Sequence, residues 1–331
     1  MLSKQNTLQI KGIAILCMII FHLFGFPNRL PENIHIDWFG TPITKAFQIC
    51  VPIYLFMAGY GLQCTYQNRN TKWNDILNRI KKTYKFFWWV AIPFIILGTI
   101  AGYYHIDTLG GGVELVLNIF GIKSTYNGEW WFFSLYIELL LLFYFISRLN
   151  VKWKYYIGIM LLTLIICRML NKFLPLDDYG IIGRHIKMII IDMNIFMMGS
   201  FFSKYDIFNV IINKIDKYRI GAVVCLVSLI VPILVRAYIP LIGITELIFV
   251  PVFIIGIVYI SKLRFISKYL EFLGKHSMNL WLIHSFFIYY FLNDITFIFN
   301  SPIVMFMIVT AMSLFCSLVI EFSKKIMISY V

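Results

Sequence analysis

Lys11 and His22 both stand in an otherwise apolar stretch near the start of the chain. An ionisable side chain in such a stretch is costly wherever lipid surrounds it, and it persists where it has a partner or a task. They lie eleven residues apart, so a helix turning about 100° per residue returns His22 to within about 20° of the face of Lys11, roughly 16 Å farther along the axis. Ala14, Met18 and Gly25 complete that stripe. The seam therefore has a cation toward one end and an imidazole toward the other. An imidazole titrates near neutrality, which suits it to take the proton of a hydroxyl nucleophile. It can also act as a nucleophile itself. The residues leave both chemistries open, beside the simpler roles of a snorkelling lysine and an interhelical hydrogen bond.

A second imidazole, His284, follows Ser277 by seven residues on roughly the same helical face. It is placed to orient either an acceptor or His22. Glu129, Trp130 and Trp131 open another apolar segment, where indoles could stack on sugar rings and a carboxylate could bind hydroxyls. Interfacial aromatic belts give the same pattern without any ligand. Glu321, near the end of the last apolar run, is a candidate partner for Lys11 or another inner cation. Arg79, Lys81 and Lys82 form a basic cluster suited to phosphates, or to ordinary anchoring at a cytoplasmic surface. Glu138, Arg168 and Asp192 are further charges within apolar runs, and no role follows for them from the sequence. The six cysteines fall singly and the six histidines are scattered, so neither a disulfide framework nor a metal site is expected.

These residues need elements to hold them, and the composition says which kind. Hydrophobic residues are 60% and charged residues 14% of the 331, which excludes an ordinary soluble domain. Apolar runs near the roughly 20-residue length of a membrane-crossing helix occur at about 8–26, 42–65, 84–104, 130–147, 153–171, 184–203, 219–236, 243–261, 272–292 and 301–322. The expected fold is all-α, a polytopic membrane helical bundle of about ten transmembrane helices. A shorter run, 113–121, cannot span. The N-terminal run lacks a cleavage signal and is expected to be retained. Lys and Arg concentrate in alternate loops: Arg69, Lys72, Arg79, Lys81 and Lys82; Arg148 and Lys152; Lys204, Lys214 and Lys217; Lys262, Arg264 and Lys268; and the tail Lys324 and Lys325. The intervening loops hold isolated examples, among them Arg29, Lys123 and Lys172. Positive charge marks cytoplasmic loops, so both termini are predicted to be cytoplasmic. The net charge of +13 then reflects orientation, and no nucleic-acid partner is expected. No linker-like stretch divides the chain, so residues 1–331 read as one integral membrane domain.

The segment Lys11-Gly-Ile-Ala-Ile-Leu-Cys-Met-Ile-Ile-Phe-His22 resembles the opening motif of acyltransferase family 3, a basic residue followed by His. Val51-Pro-Ile-Tyr-Leu-Phe-Met-Ala-Gly-Tyr60 resembles its second-helix motif, with Ala58 where a Ser is common, so a role for that hydroxyl is absent here. Arg79-Ile-Lys-Lys82 resembles the basic cluster before the third helix, and Trp130-Trp-Phe132 the opening of a later one. His276-Ser-Met-Asn-Leu-Trp-Leu-Ile-His284 and Glu321 are similar to features of its last two helices. The matches run in order along nearly the whole chain, as in a stand-alone membrane domain.

The resemblance implies transfer of an acyl group, usually acetyl, from cytoplasmic acyl-CoA to a hydroxyl of an exported or cell-envelope glycan, in a bacterial inner membrane. His22, Lys11 and Glu321 would then be catalytic; Lys11, Arg79, Lys81 and Lys82 would bind acyl-CoA; Glu129, Trp130, Trp131, His284 and Ser277 would bind the glycan. Acetyl-CoA would be a substrate, with no permanently bound cofactor, and the lipid bilayer the other partner. A transporter or flippase for a lipid-linked glycan or small solute is the rival from another class, weakened by the lack of an inverted repeat. The other large class of membrane-bound acyltransferases would carry its His in a mid-chain helix.

Overall fold

A computed structural model describes residues 1–32, 34, 40–69, 71–105, 109–148, 152–173, 176–239 and 244–329. Helices α1 (Lys4–Phe24), α2 (Pro42–Ala46), α3 (Cys50–Arg69), α4 (Trp73–Ile100), α5 (Gly111–Ile119), α6 (Trp131–Arg148) and α7 (Trp153–Phe173) come first. They are followed by α8 (Gly180–Lys204), α9 (Ile207–Lys217), α10 (Gly221–Tyr238), α11 (Ile244–Ile260), α12 (Arg264–Ile283), α13 (Asn293–Thr296) and α14 (Pro302–Ser329). No strand occurs among the described residues. A chain in lipid must satisfy its backbone within each segment, which helices do.

Among the described residues, seven helical segments are long and apolar enough to cross a membrane: Lys4–Phe24, Pro42–Arg69, Trp73–Ile100, Gly128–Arg148, Gly180–Lys204, Gly221–Tyr238 and Pro302–Ile326. The ten apolar runs predict more. The other three runs are helical as well but fall short of that standard. Trp153–Ile166 and Thr245–Ile260 are the apolar stretches of α7 and α11, and both are short. In α12 the first twelve residues carry Arg264, Lys268, Glu271 and Lys275, and the helix gives way after Ile283 to a 3-10 turn, His284–Phe287. Hydropathy alone extends that run to residue 292. The short run expected at 113–121 corresponds to α5.

Packing divides the chain into two compact units: Met1–Ala14, Gln48–Ile80 and Leu135–Gly274 in the first, Ile15–Phe47, Lys81–Ser134 and Lys275–Val331 in the second. In the first unit α3 and α8 meet backbone to backbone. A Cβ on Gly59 would fall 1.9 Å from the Phe196 carbonyl oxygen, and one on Gly199 would fall 1.9 Å from that of Phe56. Small residues that let backbones touch are how membrane helices gain close packing. Tyr156 and Met160 of α7 cluster with Met197 of α8, and Arg236 of α10 pairs with Glu246 of α11. Glu138 of α6 pairs with His185 of α8.

The core of the second unit is aromatic. Phe87 stacks on Phe133 with ring centres 4.2 Å apart, and Phe94 stacks on Phe286 at 4.5 Å. At the edge of this unit Glu114 of α5 accepts from Lys123 Nζ at 2.6 Å and from the Thr125 hydroxyl. The Lys123 ammonium first, and then Thr125, hold the Glu114 carboxyl below the usual carboxylate range.

Candidate functional site

His22 lies in the last turn of α1, which stops at Phe24 before Gly25 and the 3-10 turn Pro27–Arg29. Proline cannot continue a helix here, so the chain turns and Arg29 follows His22 closely in space. Glu129 sits in a second 3-10 turn, Gly128–Trp130, capped by Asn127, whose side-chain oxygen accepts from the Glu129 backbone N–H at 3.0 Å. Asn127 also donates to Ser285 Oγ at 2.8 Å, which ties this turn to the one after α12.

The two turns bring the charges together. Glu129 Oε2 is 3.3 Å from His22 Nε2, and Glu129 Oε1 is 3.0 Å from Arg29 Nη2. The His22 and Glu129 side chains are each only 9% exposed, whereas that of Arg29 is 39% exposed. Trp281 Nε1 donates to the Glu129 carbonyl at 3.2 Å. Both carboxylate oxygens and both backbone polar groups of Glu129 are thus held. The Arg29 guanidinium carbon is 3.7 Å from the centre of the Tyr289 ring, a cation–π contact that fixes its plane. The Tyr289 hydroxyl donates to the His22 carbonyl, one of the carbonyls a helix end leaves unpaired, and lies 3.5 Å from His22 Nδ1.

A carboxylate only accepts, so Glu129 favours the His22 tautomer with its proton on Nε2. Nδ1 then carries the lone pair. The His284 ring stands beside that of His22, with ring centres 4.9 Å apart. This is an imidazole oriented by a buried carboxylate, the pairing that lets an imidazole take a proton or bond to an acyl carbon.

Of the residues singled out in the sequence, His22, Glu129 and His284 therefore come together. Trp130 is 1% exposed, its indole donates to the Leu282 carbonyl at 3.0 Å, and Phe87 and Phe286 pack against its ring. Trp131 is only partly buried. Ser277 is buried on α12. Glu321 takes its cation from its own helix: Lys324 Nζ donates to it at 2.8 Å and Asn279 Nδ2 at 2.9 Å. Asn279 also donates to Ser317 Oγ at 3.0 Å, and Ser317 lies 2.8 Å from His276 Nδ1. Lys81 and Lys82 are exposed.

In the other unit Lys11 is half-buried and within electrostatic reach of Arg79, and its carbonyl accepts from the Tyr54 hydroxyl at 3.3 Å. The Arg168 side chain lies outside the described residues. Sequence reading missed Arg29, Tyr289 and Asn127. One signal existed for Arg29: it is a basic residue in a loop the charge pattern marks as external. Among the described residues no group of three His, Cys, Asp or Glu could hold a metal ion.

An all-α chain with several membrane-length apolar helices is a multi-pass membrane protein, and this one holds a buried imidazole–carboxylate pair. It belongs to acyltransferase family 3: the family's acyltransferase domain matches residues 9–322. No curated protein and no solved structure matches the chain.

Proposed function

We propose that this membrane acyltransferase is an O-acyltransferase that moves acetyl from cytoplasmic acetyl-CoA to a hydroxyl of an exported or envelope glycan, with His22 as the reacting imidazole. The observation that carries the reading is Glu129 on His22 Nε2, itself anchored by Arg29. With Nε2–H engaged, Nδ1 receives the hydroxyl proton as the oxygen attacks the thioester carbonyl. The carbon–sulfur bond breaks, CoA leaves as thiolate, and the proton on His22 returns to that sulfur. Glu129 steadies the imidazolium in between, and Arg29 holds Glu129 in place.

Coenzyme A carries several phosphates, and cations must meet them. Lys11, Arg79, Lys81 and Lys82 are the candidates. Glu321, tied to Lys324 and Asn279, is assigned to ordering the inner end of α14. The chain acts as a single domain, 1–331, in a bacterial inner membrane. Its ten helices of near-spanning length cross, both termini cytoplasmic, on the strength of the alternating Lys and Arg loops.

The test is the O-acetyl content of surface glycan from cells carrying no copy, the wild type, or an equally abundant His22→Ala variant. Acetylation restored by the wild type alone is the expected result. Equal acetylation in all three, with altered glycan export, would replace the transferase reading by a transporter.

A further inference from the structure

His284 follows α12 as the first residue of the 3-10 turn His284–Phe287 and is fully buried. Its Nδ1 lies 2.8 Å from the Trp281 carbonyl oxygen and 3.2 Å from that of Leu280. Carbonyls only accept, so Nδ1 carries the ring proton and Nε2 is left with a lone pair. Nothing among the described residues donates to it. A buried acceptor without a donor is costly, and native proteins rarely keep one unless something else fills the position. The neighbouring ring is His22, 4.9 Å away between centres, whose own lone pair is on Nδ1. Two adjacent imidazoles thus each carry a lone pair, and the one on His284 Nε2 has no donor among the described residues.

We propose that two neighbouring hydroxyl groups of the acceptor meet them. The reacting hydroxyl gives its proton to His22, while the hydroxyl on the next carbon donates a hydrogen bond to His284 Nε2 and keeps its proton. His284 is then a specificity-determining residue, and the acceptor class is a vicinal diol, such as two adjacent positions of a sugar ring, rather than an isolated alcohol. Asn127 and Ser285, hydrogen-bonded to one another, hold the chain on either side of this position. The inference rests on the transferase reading given above.

Isolated membranes containing the full chain, radiolabelled acetyl-CoA and three acceptors test it: trans-1,2-cyclohexanediol, its monomethyl ether, and cyclohexanol. The wild type is expected to favour the diol over the ether in kcat/KM by about tenfold or more, well beyond the roughly twofold advantage of two equivalent hydroxyls. His284→Phe, which keeps an aromatic ring but has no lone pair, is expected to bring that ratio close to the twofold limit. His284→Gln, whose amide oxygen can accept, is expected to keep part of it. A wild-type ratio at the twofold limit, or a large ratio that survives in His284→Phe, overturns the proposal and leaves the transferase reading standing. Should His284→Phe not accumulate, the wild-type ratio and the Gln variant decide. Transfer to none of the three alcohols would overturn both.

Discussion

Glutamine at position 129 keeps the shape of glutamate and removes its charge, so Glu129→Gln probes the carboxylate alone. In the wild type the two oxygens lie 3.3 Å from His22 Nε2 and 3.0 Å from Arg29 Nη2. The amide oxygen would stay with Arg29, which only donates, and the amide nitrogen would then face His22. Two donors cannot share that contact, so the ring proton moves to Nδ1, the atom that must be empty to receive the hydroxyl proton. Loss of a charge-assisted hydrogen bond is worth about 1.5–3 kcal/mol. If it acts in the transition state, that is a factor of roughly 10 to 150 in rate. The wrong tautomer adds to it, and in the serine-protease triad the corresponding change reaches about 10⁴. Label transfer from acetyl-CoA in membranes, normalised to chain abundance, should therefore fall by at least about 100-fold, with Glu129→Asp between the two. Arg29 keeps its place on Tyr289, so abundance should hold. A Glu129→Gln chain retaining roughly a third or more of wild-type transfer would mean the carboxylate contributes under about 1 kcal/mol, and the reasoning would fail.

Two further outcomes concern stability. Gly199→Ala drives a methyl to 1.9 Å from the Phe56 carbonyl oxygen, and overpacking of this kind costs about 1–3 kcal/mol. The melting temperature in detergent should drop, whereas Gly61→Ala on α3, where a Cβ meets nothing within 4 Å, should leave it nearly unchanged. For Glu114, Lys123 lowers the folded-state value, so its stabilisation is present above the unfolded value, about 4.3 for a free Glu. It is lost as pH falls through the lower folded value. Acidification from neutrality should thus lower the wild-type melting temperature more than that of Glu114→Gln, and identical pH profiles would show the pair to be irrelevant.

Helicity and membrane character were legible because lipid demands long apolar runs, and α1, α3, α4 and α14 obey. The His22 position was legible because one imidazole interrupts such a run. Arg29 and Tyr289 were not: the first looks like a stray loop cation, and the second sits in an apolar stretch that hydropathy assigns to a span. Their significance depends on Glu129, one hundred residues past Arg29 and brought back by tertiary packing, which no local pattern encodes. Trp130 and Trp131 show a similar limit. Adjacent indoles at a helix start look alike in sequence, yet one is 1% exposed in the core and the other is only partly buried. Glu321 was ambiguous because its cation, Lys324, is three residues away, while the more distant Lys11 suggested itself through charge alone. In α12 the four charges of the first twelve residues and the turn at His284 defeat a hydropathy window that averages over both.

The reciprocal contact of Gly59 and Gly199 has a genetic consequence. What each glycine touches is a carbonyl oxygen, at Phe196 and at Phe56, which is a part of the chain that every amino acid carries. Changing residue 196 or 56 therefore cannot make room for a methyl at 59 or 199. A screen for second-site suppressors of Gly199→Ala should return nothing at position 56 that acts by making local room. Any revertant other than the glycine itself should map to residues that let α3 and α8 move apart as whole helices.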